Sequence, residues 1–285
     1  MLREIIDLGF DQIELGHGIR LSLMPGIQKV FDAGQVRFSS LHNFCPLPVE
    51  VMMASPDCYQ FSAVSSEERE RAVKQTLQTI DFAVRLNAPF LVLHLGEVNM
   101  PSITDRLINM AKTGAYLSRK YVRLKIAAVQ KRERIAPAYL QRVKDCLRHI
   151  IEHAASKNVR LALEGRRNYE EIPTERELPA LLDELNSEQI GYWHDFGHSQ
   201  IKHNLGFIDH LEWLHTVGPR AFGCHVQDCI WPAKDHEAPF TGGVNFEKLV
   251  PLLPTNCLFV WEMSPSKTAN AIRQSVETWK ERFGE

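Results

Sequence analysis

A chain of 285 residues with formal net charge -2 and 44% hydrophobic residues sits in the ordinary globular range, which excludes disorder and makes a sizeable core available. The near-neutral balance excludes a global pull toward nucleic acid or an anionic membrane and favours a small-molecule partner. No apolar run approaches the ~20 residues needed to cross a bilayer, "MLREIIDLGF" lacks a basic segment followed by an apolar one, and six cysteines without a C-x-x-C pair read as reduced thiols of a cytoplasmic protein.

In chain order, seven short β-branched or aliphatic runs predict strands: "QIEL" (12–15), "VRFSSLH" (36–42), "FLVLHLG" (90–96), "VRLALEG" (159–165), "IGYWHD" (190–195), "AFGCHVQD" (221–228) and "LFVWEM" (258–263). Helical periodicity fills most of the intervals. "SSEERERAVKQTLQTIDFAVRLN" opens on a capping-box pattern at Ser65 to Glu68, and "ELPALLDELN" and "NFEKLVPLL" follow the same spacing. Strand and helix alternate from end to end without a Pro/Gly/Ser linker. The pattern predicts one domain over 1–285 with a parallel sheet and crossover helices, and a closed (β/α)8 barrel is the natural size match.

Two segments break the pattern. The loop from Asn43 to Val64 is too long for a minimal strand-to-helix connection and predicts a lid or pocket wall. The interval around 100–156 holds more helix than one crossover needs, an insertion in which Lys112 to Arg134 carries eight basic residues against one acidic residue, Glu133. A phosphate or nucleic-acid grip and a solvated basic helix face are the two readings, and the solvated face is favoured.

In parallel barrels the chemistry sits where the strands end, because side chains from different strands converge there. The residues at those ends are Glu14, His42, His94, Glu164, Asp195, His225 and Glu262. Asp, Glu and His make up 47 of 285 residues, so one at every strand end is not a composition effect. A lone His at such a place is commonly a hydrogen-bonded structural residue; a Glu after "RLAL" or "LFVW" needs a cation, several donors or a raised pKa. Glu14, before the turn "LGHG", reads as half of an interior ion pair and stays outside the site.

Glu164, Asp195 and Glu262 with the imidazole of His225 form an oxygen-rich set with one nitrogen. That composition suits Mn²⁺, Mg²⁺, Co²⁺ or Zn²⁺. Cys224 should point to the opposite face from His225, and His194 to the opposite face from Asp195, where packing outside the barrel is its expected role. A second group, His42, His94, His198, Asp235 and His236, is open to further metal or to substrate hydroxyls.

The ordered motifs "LALEGR", "YWHDFGHSQ", "GCHVQD", "DHEAPFTGG" and "VWEMSP" resemble the xylose isomerase-like barrels, a superfamily of sugar and sugar-phosphate isomerases and epimerases, inosose and dehydroshikimate dehydratases, and endonuclease IV. The resemblance runs from about Leu2 to Trp279. It implies one divalent metal, with Mn²⁺ first and Zn²⁺, Co²⁺ or Mg²⁺ as alternatives, held by Glu164, Asp195, His225 and Glu262. In the endonuclease the matching set extends to three zinc ions through positions corresponding to His42, His94, His198, Asp235 and a nearby histidine; here Asp235 and His236 are adjacent, where the endonuclease separates them by one residue. Family members also begin with a strand before the helix that here reads "LREIIDLGF", so the first barrel strand is expected to be missing: either the start is truncated, or the barrel is open and exposes two strand edges that need covering, and a homo-oligomer is one expected state.

The function so implied is a metal-dependent isomerase or epimerase of a sugar, sugar phosphate or keto-polyol. Glu164 and Glu262 face one another across the substrate as acid and base, while His42, His94, Arg166, His198 and His236 contact substrate oxygens. A dehydratase would use the same site. An abasic-site nuclease and a non-catalytic sugar- or metal-binding barrel are the alternatives from other classes, and the near-neutral charge counts against the nuclease.

Overall fold

The computed structural model describes residues 2–284. In chain order the elements begin with α1 (Leu2–Asp7), β1 (Gln12–Leu15), α2 (Met24–Asp32), β2 (Arg37–His42), α3 (Ser66–Arg85) and β3 (Phe90–Leu93). Then come α4 (Ile103–Lys112), α5 (Arg119–Lys157), β4 (Arg160–Glu164), α6 (Glu177–Leu185), β5 (Ile190–Asp195), α7 (Phe196–Asn204) and α8 (His210–Val217). The last are β6 (Ala221–Val226), β7 (Asp228–Ile230), β8 (Lys234–Glu237), α9 (Phe246–Leu249), β9 (Leu258–Trp261) and α10 (Ala269–Phe283). All seven expected strands form, in one sheet of order β1-β2-β3-β4-β5-β6-β9.

Two compact units are distinguished along the chain. The first takes in the chain up to Gly96 together with Gln141–Glu164 and Ala180–Gly191. Its strands β1, β2, β3 and β4 pair in parallel, and their apolar runs fill the interior: Leu41, Leu91, Val92, Leu93, Leu161, Ala162 and Leu163 are fully buried. Each such leucine contributes about 1.5–3 kcal/mol by leaving water. Strands covered on both faces read as continuous apolar runs, which is why these segments were legible.

Helix α3 starts where the capping pattern places it, with Ser65 Oγ accepting from the Glu68 amide at 3.3 Å. The reciprocal half of the box differs: Glu68 reaches the Gln60 amide, 3.2 Å away, and so ties the end of the long 43–64 loop to the helix start. That loop is anchored at several points. Asn43 Nδ2 donates to Thr76 Oγ1 and the Cys45 amide to Thr79 Oγ1, while the Ser62 amide meets the Leu95 carbonyl. The close approach at its far end requires Gly96, which takes φ +96° and would place a Cβ 2.4 Å from Ser62 Oγ.

The second unit comprises Glu97–Leu140, Gly165–Pro179 and the chain from Tyr192 onward. Here β5, β6 and β9 pair in parallel. The helical insertion is present as α4 and the 39-residue α5. The reading of Lys112–Arg134 as a solvated basic face needs correction at two residues. Arg132 is buried, donating to both oxygens of Glu177 and to the Glu171 carbonyl; Lys125 donates to the Leu205 and Gly206 carbonyls and lies over the Phe207 ring. Periodicity hid this because a buried arginine in a helix carries the same letter as a solvated one.

A second correction concerns "AFGCHVQD". The parallel strand stops at Val226, and β7 and β8 form a separate antiparallel hairpin. The turn Trp231-Pro232-Ala233 between them has no Gly or Asn signal, so the hairpin was not predicted. Asp228 builds its base: its buried carboxylate accepts from the amides of Cys229, Gly242 and Val244 at 2.7–3.0 Å. Gly242 has no room for a side chain there, since a Cβ would lie 2.4 Å from Asp228 Oδ1. Among the described residues no helix is long and apolar enough to cross a membrane.

Candidate metal and acid–base site

Strand register decides which strand-end side chains can meet. In the first unit His42 stands opposite Val92 and Leu93 opposite Leu163. Side chains two residues apart share a face, so His94 rises on the His42 side, and continuing the register by one residue brings it level with Glu164. The three converge as that parity requires: His42 Nε2 lies 3.0 Å and His94 Nε2 2.7 Å from Glu164 Oε2, and all three are buried.

The outer nitrogens of both rings are engaged by acceptors. His42 Nδ1 donates to the Asn43 carbonyl at 3.0 Å and His94 Nδ1 to Asp57 Oδ2 at 3.1 Å. In a neutral ring this leaves Nε2 as the lone-pair nitrogen. Two lone-pair nitrogens and a carboxylate oxygen aimed at one another call for a cation or an added proton between them, and they are close enough to share one ion. Glu14, by contrast, stays outside this cluster and accepts from Ser40 Oγ at 2.6 Å.

The second unit repeats the logic. Asp195 pairs with His225 and His225 with Val260, so Glu262, two residues beyond Val260, shares their face. His225 Nδ1 lies 3.6 Å from Asp195 Oδ2 and 3.1 Å from Glu262 Oε2. Asp195 and His225 are fully buried, whereas the Glu262 side chain retains 35% exposure. Two carboxylates and an imidazole therefore meet, with one carboxylate reachable from outside.

Supporting groups fix these side chains. Asp195 Oδ1 accepts from the His198 amide at 2.7 Å, capping α7, and Oδ2 accepts from Gln227 Nε2 at 2.8 Å. Gln227 Oε1 in turn accepts from the His236 amide. Gly197 is required for this, because a Cβ there would lie 2.5 Å from Gln227 Oε1. His198 Nδ1 donates to the Gly165 carbonyl at 3.1 Å.

His236 bridges two carboxylates, with Nδ1 3.5 Å from Asp235 Oδ1 and Nε2 3.8 Å from Glu262 Oε1. The hydrogen bonds with Asp235 and then Glu262 push its pKa up to about 10 despite burial. Burial works to raise Asp235, but the bond with His236 and the charges of His198, His236 and Arg167 bring it down to about 2. Arg167 Nε lies 3.2 Å from Asp235 Oδ2. Arg166 is buried and donates to Glu171 Oε1 at 2.5 Å, within its own loop.

The structure thus brings His42, His94 and Glu164 together in one unit and Asp195, His225 and Glu262 in the other, with Asp235, His236 and His198 beside the second set. His194 lies on the opposite face of β5, fully buried and bonded to Tyr192 and His210. Sequence reasoning missed Asp57, Gln227 and Arg167. Gln227 stood in the motif "GCHVQD" but is not a ligand-type residue; Asp57 and Arg167 sit in loops, where no periodicity marks a side chain's direction.

Comparison with known proteins agrees with this architecture. A D-tagatose 3-epimerase-like protein superposes with TM-score 0.70 at 17% identity, covering 99% of this chain and 92% of that one. The 3-keto-D-glucoside 4-epimerase YcjR of E. coli gives 0.67 at 14% over 98% and 92%, and IOLI, a protein solved with a bound zinc atom, gives 0.68 at 13% over 100% and 93%. Among curated proteins no sequence relative matches. The model of the xylose isomerase-like TIM barrel matches residues 2–282, and the chain belongs to that family.

Proposed function

We propose that this protein is a divalent-metal-dependent isomerase or epimerase of a sugar, sugar phosphate or keto-polyol. The observation that carries the proposal is the meeting of Asp195 Oδ2, His225 Nδ1 and Glu262 Oε2 at the ends of three neighbouring strands. The donor chemistry fits a hard or borderline ion, Mn²⁺ first and Zn²⁺, Co²⁺ or Mg²⁺ otherwise. Glu164 is the proposed fourth ligand, and His42, His94, His198, Asp235 and His236 are the groups available for a further ion. When bound, the ion supplies Lewis acidity toward a substrate carbonyl.

The chain's own residues account for the proton transfer. Glu164 and Glu262 are the proposed base and acid at the carbon beside the carbonyl, a role worth 10²–10⁴-fold in rate. Glu262 suits it because it is the reachable carboxylate of its set. His236, between Asp235 and Glu262, contacts a substrate oxygen, as do His42, His94, His198 and Arg166 in this reading; His42 and His94 as neutral rings accept from a substrate hydroxyl at Nε2. The sugar class is supported by the named activities of the similar folds, tagatose and keto-glucoside epimerases among them. A single cytoplasmic domain, able to self-associate, is the setting we propose.

Incubation with free and phosphorylated keto-sugars in deuterated water tests the reading. Deuterium should enter at carbon next to the carbonyl, and Glu262→Gln should reduce the rate about 100-fold or more with the fold intact. Loss of a β-hydroxyl with the exchange would make the enzyme a dehydratase on the same site. Cleavage of an abasic oligonucleotide without any exchange would sink the proposal.

A further inference from the structure

We infer that Asp57 is a positioning residue for His94, and that the loop 43–64 is thereby part of the site rather than a wall beside it. The inference rests on the functional reading above for its consequence in turnover, but not for its geometry. Asp57 Oδ2 accepts from His94 Nδ1 at 3.1 Å, and the opposite nitrogen of the same ring lies 2.7 Å from Glu164 Oε2. Imidazole has two distinguishable nitrogens, and the partner of one decides the state of the other. A carboxylate on Nδ1 keeps the proton there, raises the basicity of Nε2 and fixes the ring plane. His94 lies one residue past the end of β3, beyond the last paired residue Leu93.

The sequence builds Asp57 into place from its own loop. Its amide donates to Ser55 Oγ at 3.1 Å and the Cys58 amide to the Ser55 carbonyl, closing a tight turn around it. Tyr59, two residues on, donates to Glu50 Oε1 at 2.8 Å, tying the turn back to the loop's first half. The segment between, in contrast, exposes Met52 and Met53 at 85% and 84%. An apolar, solvent-facing tip and the part-buried Asp57 carboxylate that meets His94 belong to one loop.

The test compares Asp57→Ala, which removes the acceptor, with Asp57→Asn, which keeps an oxygen acceptor and removes the charge. ¹⁵N spectra of the imidazoles of the metal-free protein read the proton position without any substrate. In Asp57→Ala the His94 Nδ1 resonance should move while the other histidines and the melting temperature hold; in Asp57→Asn it should stay near its original place. Turnover, read as deuterium exchange, should fall 10- to 100-fold in kcat for Asp57→Ala, with KM changed less and substantial recovery in Asp57→Asn. Unchanged His94 resonances in Asp57→Ala overturn the inference, even where exchange activity exists. A shift of those resonances upholds it, even where no keto-sugar exchanges and the functional reading has failed.

Discussion

At the scale of single residues, a hydrogen-bond chain behind the site assigns its own protons. Asn204 Nδ2 donates to the Pro232 carbonyl, so its Oδ1 faces Gln200 Nε2 and Gln200 Oε1 faces His210 Nδ1. His210 Nδ1 must then donate and its Nε2 accept from His194 Nε2, leaving His194 Nδ1 to accept from Tyr192 OH. Trp213 Nε1 donates to the same hydroxyl. Both rings are neutral, and burial, reinforced by His203, drives the pKa of His210 down to about 3. An unfolded histidine takes its proton near 6.5. The folded pKa is therefore depressed, and the stability it represents is full above about pH 6.5 and is lost as pH falls toward 3. Melting curves from pH 7 to pH 5 should show a declining midpoint, and His210→Asn should flatten the decline; an equal slope in both proteins would show that His210 does not titrate as argued. Alternation along β5 was enough to turn His194 away from Asp195 in the sequence, but nothing marked His210, whose partner lies on a different helix.

At the scale of elements, the legible part was whatever repeats with a period. Seven strands and the α3 cap follow from apolar runs and a four-residue signature. The hairpin of β7 and β8 and the buried side of α5 do not: the first is based on the Asp228 carboxylate accepting from backbone amides, the second on Arg132 and Lys125 meeting distant carboxylate and carbonyl oxygens. Arg132 is the clearest instance. Its guanidinium pairs with Glu177, lies over the Tyr169 ring and is 1% exposed. Removing one partner of a buried pair costs about 3–5 kcal/mol because the other charge is left behind. Arg132→Ala should lose that much in denaturant unfolding, whereas Arg134→Ala, on the exposed side of the same helix, should stay within about 0.5 kcal/mol. Equal effects would restore the reading of the whole basic stretch as a solvated face.

At the scale of the whole molecule, the strand-end candidates are legible because a parallel sheet sends successive strands in one direction and so gathers their last residues at one edge. Strand ends alone mark His42, His94 and Glu164, as well as Asp195, His225 and Glu262. They do not mark Asp57 or Gln227, which bond to His94 and Asp195 from outside the strand ends. The proposed metal centre also has a consequence for the entire fold. An ion that binds the native state and not the unfolded chain stabilises it by about 2.7 kcal/mol at a hundred times its dissociation constant. For a protein of this size that is roughly 5–10 °C in the melting midpoint. Protein stripped with a chelator and titrated with Mn²⁺, Co²⁺, Zn²⁺ and Mg²⁺ in turn should rise by that amount with at least one of them. Asp195→Asn should abolish the rise, since its carboxylate is a proposed ligand, while Asp235→Asn should leave a first, tight increment intact because Asp235 belongs only to the second group. A protein whose midpoint none of the four ions moves has no resident metal at these residues, and Glu164 and Glu262 would then have to act without one.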